Sequence, residues 1–213
     1  MRKGEETRRR VLDEAETLVL EKGFAATSID ELIAATGLTK SGFFYHFKDK
    51  NELARALIER YVEADEKIYD EVFSRARELA DDPLQSFLVG LKLLAELMAD
   101  MPKGHPGCLV AVSCYGERLF DRQVRDLNRE AALIWRRRFR AMLGEIAEIY
   151  PPREPVDLDD LADFVSAVLE GGIVLSKALQ EPSALSRQIL TLRGTIRALF
   201  APARHHPPAS ADG

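Results

Sequence analysis

The sequence predicts an all-α fold in two parts: a three-helix helix-turn-helix domain over residues 1–48, and a larger helical domain over residues 49–202. Three observations carry this. Apolar residues recur three or four apart in every long segment, the period of a helix with one buried face. The breaks between segments fall at Gly23, Gly37, Pro83, the run MPKGHPG at 101–107 and the Pro-rich 150–155, residues that stop helices. The stretch Ser28 to Lys50, SIDELIAATGLTKSGFFYHFKDK, reads as two short capped helices around one tight turn.

Thr7 to Lys22 predicts a first helix with Val11, Leu12, Ala15, Leu18 and Val19 in one stripe, behind a basic arm at residues 1–4. Gly23 ends it and Phe24 folds back onto a small core. Ser28 caps the second helix, its hydroxyl accepting from the amide of Asp30 or Glu31, and Glu31 completes the spacing of a capping box. Ile29, Leu32 and Ile33 share its buried face. Gly37 accepts the left-handed conformation that stops the helix. Thr39 caps a third helix from Lys40 to about Phe47, with Phe43 and Phe47, four apart, on the inner face.

That leaves Lys40, Ser41, Gly42, Phe44, Tyr45 and His46 facing outward or sideways, an odd surface for an inert helix. The set suits the major groove of double-stranded DNA. Lysine reaches guanine, serine reads either base type and an aromatic edge touches a thymine methyl. Gly42 lets the backbone approach a base edge. Tyr45, His46 and Lys50 are placed to hold phosphates, which set register without reading sequence. The first fifty residues hold nine Lys+Arg and nine Asp+Glu, so the net charge of −5 lies wholly beyond them. Arg2, Lys3, Arg8, Lys40, Lys48 and Lys50 supply the local positive footprint that DNA binding needs.

Lys50 or Asn51 opens a long helix to about Ala80, a connecting rod with Leu53, Leu57, Tyr61 and Ile68 in register. Pro83 to Ala99 follows, strongly apolar through Leu84, Phe87, Leu88, Leu91, Leu94 and Met98. The run CLVAVSCYG at 108–116 predicts a short helix wrapped by its neighbours and able to line a cavity. Arg122 to Ile149 is long and amphipathic; its basic run Arg136–Arg138 with Arg140 reads as a solvated face. Asp157 to Gln180 and Pro182 to Phe200 complete the helices. In the former, Gly171-Gly172 predicts close approach of another helix. The tail at 203–213 is too polar and Pro-rich to fold.

At 46% apolar and 31% charged the chain has the composition of a soluble protein able to bury a sizeable core. No apolar run reaches the length of a membrane span, and the polar N-terminus is no signal peptide. Two cysteines imply a reducing compartment, so a cytoplasmic location is expected. There is no phosphate-cradling glycine loop, no Ser-His-Asp set and no zinc spacing; His105, Cys108 and Cys114 match no zinc pattern. Neither a cofactor nor an enzyme is expected.

The stretch TSIDELIAATGLTKSGFFYHFKDKNEL closely resembles the DNA-binding domain of the TetR family of transcriptional regulators, over about residues 5–60. Gly37, Leu38, Thr39, Ser41, Phe44, Tyr45, Phe47, Asp49 and Lys50 carry the match. The resemblance implies DNA-binding roles for Ser28, Thr39, Lys40, Ser41, Gly42, Phe44, Tyr45, His46 and Lys50. It implies a homodimer through the last two helices, for which Phe164, Val168, Gly171, Gly172, Leu175, Ile189, Leu192 and Ile196 are the candidates. It also implies that the middle helices enclose a small apolar effector, with Phe87, Leu91, Leu94, Cys108, Leu109, Val112, Tyr115 and Trp135 as candidate lining. The implied function is a repressor released from a palindromic operator by a small molecule. GCLVAV further resembles, loosely, the reactive-cysteine segment of electrophile-responsive members, which makes Cys108 a second route of signal entry. An enzyme or ligand carrier with an incidental helix-turn-helix, and a helical scaffold without ligand, are the rival classes.

Overall fold

The computed structural model describes residues 3–200, and every described element is helical or a turn. The expected tail and the first two residues of the expected arm lie outside the described residues. Nine α-helices follow one another: α1 (Lys3–Ala26), α2 (Ile29–Thr36), α3 (Lys40–His46), α4 (Lys50–Leu79), α5 (Pro83–Ala99), α6 (Leu109–Tyr115), α7 (Arg122–Ile149), α8 (Leu158–Ala178) and α9 (Ala184–Phe200), with a 3-10 turn at Glu117–Leu119 before α7. The α1 helix starts before the expected Thr7. It breaks where expected, because Gly23 has φ 81° and ψ 162°, outside the helical region. Past the break, Phe24 packs edge-on against Phe120, ring centroids 4.9 Å apart.

The ends of α2 and α3 are fixed by local chemistry. Ser28 Oγ accepts from the Glu31 amide at 3.1 Å. Gly37 sits at φ 65°; its N–H donates to Ala34 O and the Leu38 N–H to Ile33 O, the double bond that closes a helix through a left-handed residue. Thr39 Oγ1 accepts from the Gly42 amide at 3.1 Å and opens α3 at once. The reciprocal half of the capping box is absent, because the Glu31 carboxylate is taken by Lys22 instead.

The remaining helices form one continuous core. The α5 helix lies between α4 and α9, α8 lies between α7 and α9, and α1 touches α6. Phe73 stacks on Phe87 between α4 and α5. A Cβ on Gly90 would stand 2.4 Å from the Phe73 ring, so only glycine lets the two helices meet there.

The expected dimer face is corrected on both last helices. Ile189, Leu192 and Ile196 are buried within the chain, since α9 has α5 as a second partner and its apolar stripe goes there. Gly172 serves the α8–α9 contact: a Cβ on it would lie 2.7 Å from Leu185 Cδ1 and 3.2 Å from Leu185 Cα. What stays outside is Phe164 (42% exposed), Leu175 (40%) and Leu190 (47%). Half-buried Val168 and the open Gly171 join them. The α6 segment is also less enclosed than expected. Its first turn is covered, but Cys114 and Tyr115 face solvent.

Candidate nucleic-acid interface and ligand cavity

Phe43 and Phe47 are fully buried under α3, as their spacing requires. This turns Phe44 (39% exposed) and Tyr45 (83%) outward, with Lys40 and Ser41 exposed beside them and His46 half-buried edge-on against Tyr45. Ser28 and Thr39 use their oxygens as helix caps, and Thr39 Oγ1 also lies 3.1 Å from Ser41 Oγ. A Cβ on Gly42 would crowd that cap at 3.2 Å from Thr39 Oγ1. Lys50 departs from its expected place as an outward phosphate contact. Its ammonium donates to the Phe24 carbonyl at the end of α1, and burial holds its pKa down. Its role in this conformation is to tie α4 to α1. The Arg8 guanidinium lies over the Phe47 ring, 4.9 Å from its centroid.

Further contacts fix α4 against α1, α7 and the segment before α6. Arg55 on α4 pairs with Asp121 at 2.9 Å, and Asn51 Oδ1 accepts from the Asp121 amide at 3.0 Å. Asp121 is itself the N-cap of α7. Arg60 on α4 bridges Asp13 and Glu16 on α1. The Tyr61 hydroxyl donates to Gly107 O just before α6.

Tyr61 also begins the wall of a cavity of about 350 Å³ between α4, α6, α7 and α8. Asp65, Tyr69, Cys108, Val110, Trp135, Ser166, Leu169, Glu170 and Ile173 contribute to its lining. A smaller recess of about 50 Å³ shares Tyr61, Asp65 and Tyr69 and is closed by Ile68, Leu94, Met98, Leu185 and Ile189. A wider groove of about 740 Å³ between α1, the 101–107 loop and the end of α8 has mostly charged and polar walls, and its Arg60 is already paired. The inner cavity, apolar with a few convergent polar groups, fits a small-molecule site better.

Of the expected lining residues, Cys108 and Trp135 reach this cavity and Leu94 the recess. Leu91 and Leu109 are ordinary core, and Phe87, also buried, edges a separate groove of about 410 Å³ beside Phe73, Arg77 and Met142. Tyr115 is 92% exposed and faces away, because α6 is covered only at its start. Val112 is half-buried and lines neither space. Sequence reading missed Asp65 and Glu170. The signal for Asp65 was present: it stands four after Tyr61 and three before Ile68, a carboxylate on the inner stripe of α4.

Burial of the sulfur, 7% exposed, runs against the thiolate reading of Cys108. The sulfur caps α6 by accepting from the Ala111 amide at 3.4 Å, but burial and the Glu170 carboxylate push the thiol up to about 12. His105 offers no help, since burial and Lys177 bring it down to about 4. Alkylation of the native protein by N-ethylmaleimide is therefore expected to label exposed Cys114 and spare Cys108. Peptide mass spectrometry reads the ratio, and preferential labelling of Cys108 would overturn the assignment.

Burial, with Glu66 and Glu170 nearby, raises the Asp65 carboxyl to about 7. A carboxyl whose folded pKa exceeds its unfolded value binds its proton more tightly when folded. Stability from this group is then present at low pH and lost as pH rises from about 4 to about 7. Asp65→Asn is expected to raise stability by about 2–4 kcal/mol above pH 7 and by little near pH 4. Urea titrations at pH 5 and 8 measure it; an equal gain at both would contradict the cause given.

Each arginine of the basic run on α7 has a carboxylate: Arg136 with Asp163, Arg137 with Glu130, Arg138 with Glu66 and Asp70, Arg140 with Asp159. Arg137 and Arg140 are exposed as expected, whereas the Arg138 side chain, 16% exposed, is tucked against α4 and departs from the solvated-face reading. Among the described residues no helix is long and apolar enough to cross a membrane.

A capped helix-turn-helix at the head of an all-helical chain defines the class of DNA-binding transcriptional regulators. Residues 11–57 match the family described as bacterial regulatory proteins, tetR family. In this domain and in its fold the chain is similar to the regulators of that family. It is 41% identical over 49 residues to the HTH-type transcriptional regulator AcrR of Shigella flexneri, covering 23% of each chain. It is 29% identical to TcmR of Streptomyces glaucescens over 83% of this chain and 74% of that one. A TetR transcriptional regulator from Chloroflexus aurantiacus J-10-FL superposes with a TM-score of 0.74 at 28% identity, covering 93% of this chain and 98% of that one. The chain matches less than a third of the length of the first curated relatives. These relatives are transcriptional regulators.

Proposed function

We propose that the protein is a ligand-responsive repressor that binds a near-palindromic duplex as a homodimer and leaves it when a small molecule fills the cavity at Asp65. The observation that carries the reading is that α4 serves both sites. Its first turns are tied to α1 by Lys50 and to α7 by Arg55, and Tyr61, Asp65 and Tyr69 on the same helix line the cavity. A ligand that binds one setting of α4 better than another shifts the equilibrium by that difference in affinity. The division near residue 48 then separates a reading head from an effector and dimerisation domain. Lys40, Ser41, Phe44, Tyr45 and His46 meet base edges and phosphates, while Ser28, Thr39 and Gly42 shape the helices that present them.

Fluorescence anisotropy against an operator selected from genomic fragments tests this. Lys40→Ala is expected to relax sequence preference by about 1–3 kcal/mol if its base contact is good. Unchanged discrimination between operator and random duplex in Lys40→Ala and Tyr45→Ala would sink the interface. A cavity ligand that stabilises the protein without releasing DNA would sink the repressor mechanism.

A further inference from the structure

We propose that the cavity at Asp65 selects a cationic effector: a protonated amine or quaternary ammonium joined to an apolar body that carries a neutral hydrogen-bond acceptor. The inference rests on the effector-site reading above and goes beyond it by fixing the ligand's charge.

Three carboxylates line the space, Asp65 on α4 and Asp163 and Glu170 on α8, together with the Arg136 guanidinium of α7, which pairs with Asp163 and leaves Asp65 and Glu170. Asp65 has no ion-pair partner among the described residues, and Glu170 has only the Cys108 thiol beside it. The nearby arginines are already committed. Arg136 forks onto Asp163, its Nε at 2.8 Å from Oδ1, and Arg138 grips Glu66 and Asp70 at 2.8 and 2.7 Å. The wall therefore carries two carboxyls without a cationic partner, whose charged forms are costly away from water and are favoured by a cation placed between them. Tyr61, Tyr69 and Trp135 surround the same space, and the faces of such rings attract ammonium groups.

A second observation is independent of the acids. Trp135 Nε1 and Ser166 Oγ, both on wall residues, are buried without any hydrogen-bond partner. A buried donor left unpaired is destabilising, and the indole N–H can only donate. An ether, ester or carbonyl oxygen on the ligand answers it, whereas an anion there would meet the carboxylates. The apolar remainder, Val110, Ala111, Leu169 and Ile173, suits a short hydrocarbon chain. A cation between Asp65 and Glu170 also bridges α4 to α8, which supplies the differential contact that moving α4 requires.

Hexanoylcholine and its neutral carbon isostere, in which a quaternary carbon replaces the nitrogen, differ by one charge at constant shape. Isothermal titration of the full chain is expected to give at least about tenfold tighter binding of the cation. Asp65→Asn combined with Glu170→Gln should bring the two affinities together and leave that of the isostere unchanged. Both substitutions are near-isosteric and remove carboxyls that have no cationic partner, so the fold is kept. Equal binding of the two probes to the wild type overturns the proposal, as does charge discrimination that survives the double variant. If the isostere binds equally well and Ala132→Trp blocks it, the effector cavity stands and the cation preference falls. If hexanoylcholine, the isostere and hexanoate all fail to bind, both fall.

Discussion

Charge placed on the outer face of α8 and α9 is expected to leave the protein monomeric. Leu175→Glu with Leu190→Glu puts two carboxylates on the apolar strip that runs past Phe164, Val168 and Gly171. Both leucines are exposed, so the fold of the single chain should survive the change. Sedimentation should give about twice the chain mass for the wild type and the chain mass for the variant. Loss of the dimer removes the second recognition helix from the same complex, and operator affinity is expected to fall by a factor on the order of 10² to 10⁴. Leu192→Arg is a different experiment. Leu192 is buried against α5 and α8, so that variant should unfold rather than dissociate. A wild type that sediments as a monomer at micromolar concentration, or a double variant that stays dimeric, would refute this face.

Phe47→Ala is expected to melt the DNA-reading unit. Phe47 is fully buried, tilted against Phe43 at 5.9 Å between ring centroids, and covered outside by the Arg8 guanidinium. Truncating a buried phenylalanine costs about 3–5 kcal/mol. A unit of three short helices has little stability to spare, because small cores bury a smaller share of their surface. DNA binding should vanish while ligand binding at Asp65 persists, with an early second step in thermal unfolding. One cooperative transition at a lower temperature would instead mean that the two parts fold as one body.

The helix-turn-helix was legible because its signals are local. Ser28, Gly37 and Thr39 act on backbone groups one to five residues away, and Phe43 and Phe47 meet on one helix face. The dimer face was not legible. An apolar stripe says that something covers it, not whether the cover is α5 of the same chain or α9 of another. Ile189 and Leu190 are neighbours in sequence, yet one is buried within the chain and the other is exposed. The cavity was hidden for the opposite reason. Apolar residues are its expected markers, but Leu91 and Leu109 pack too well to leave room, and the space opens where Asp65, Ser166 and Glu170 interrupt the packing. Lys50 shows the same limit for charge. Its place in the motif was plain, but the turn of its ammonium toward Phe24 O depends on where α1 ends in space.

The unbroken length of α4 sets a mechanical ratio. Its 30 residues span about 45 Å at 1.5 Å each. Fifteen residues, about 22 Å, separate Asp65 from Lys50. With Asp65 as fulcrum, a tilt of about 10° carries the Lys50 end sideways by about 4 Å, a third of the roughly 12 Å width of a major groove. A rearrangement at the cavity no larger than one side chain changing its rotamer is geared up, by length alone, to a displacement that a recognition helix cannot absorb while keeping its base contacts. Stiffness of the rod matters more than the size of the ligand's push, and a proline introduced midway, at Glu59, would disconnect the two ends even with both sites intact.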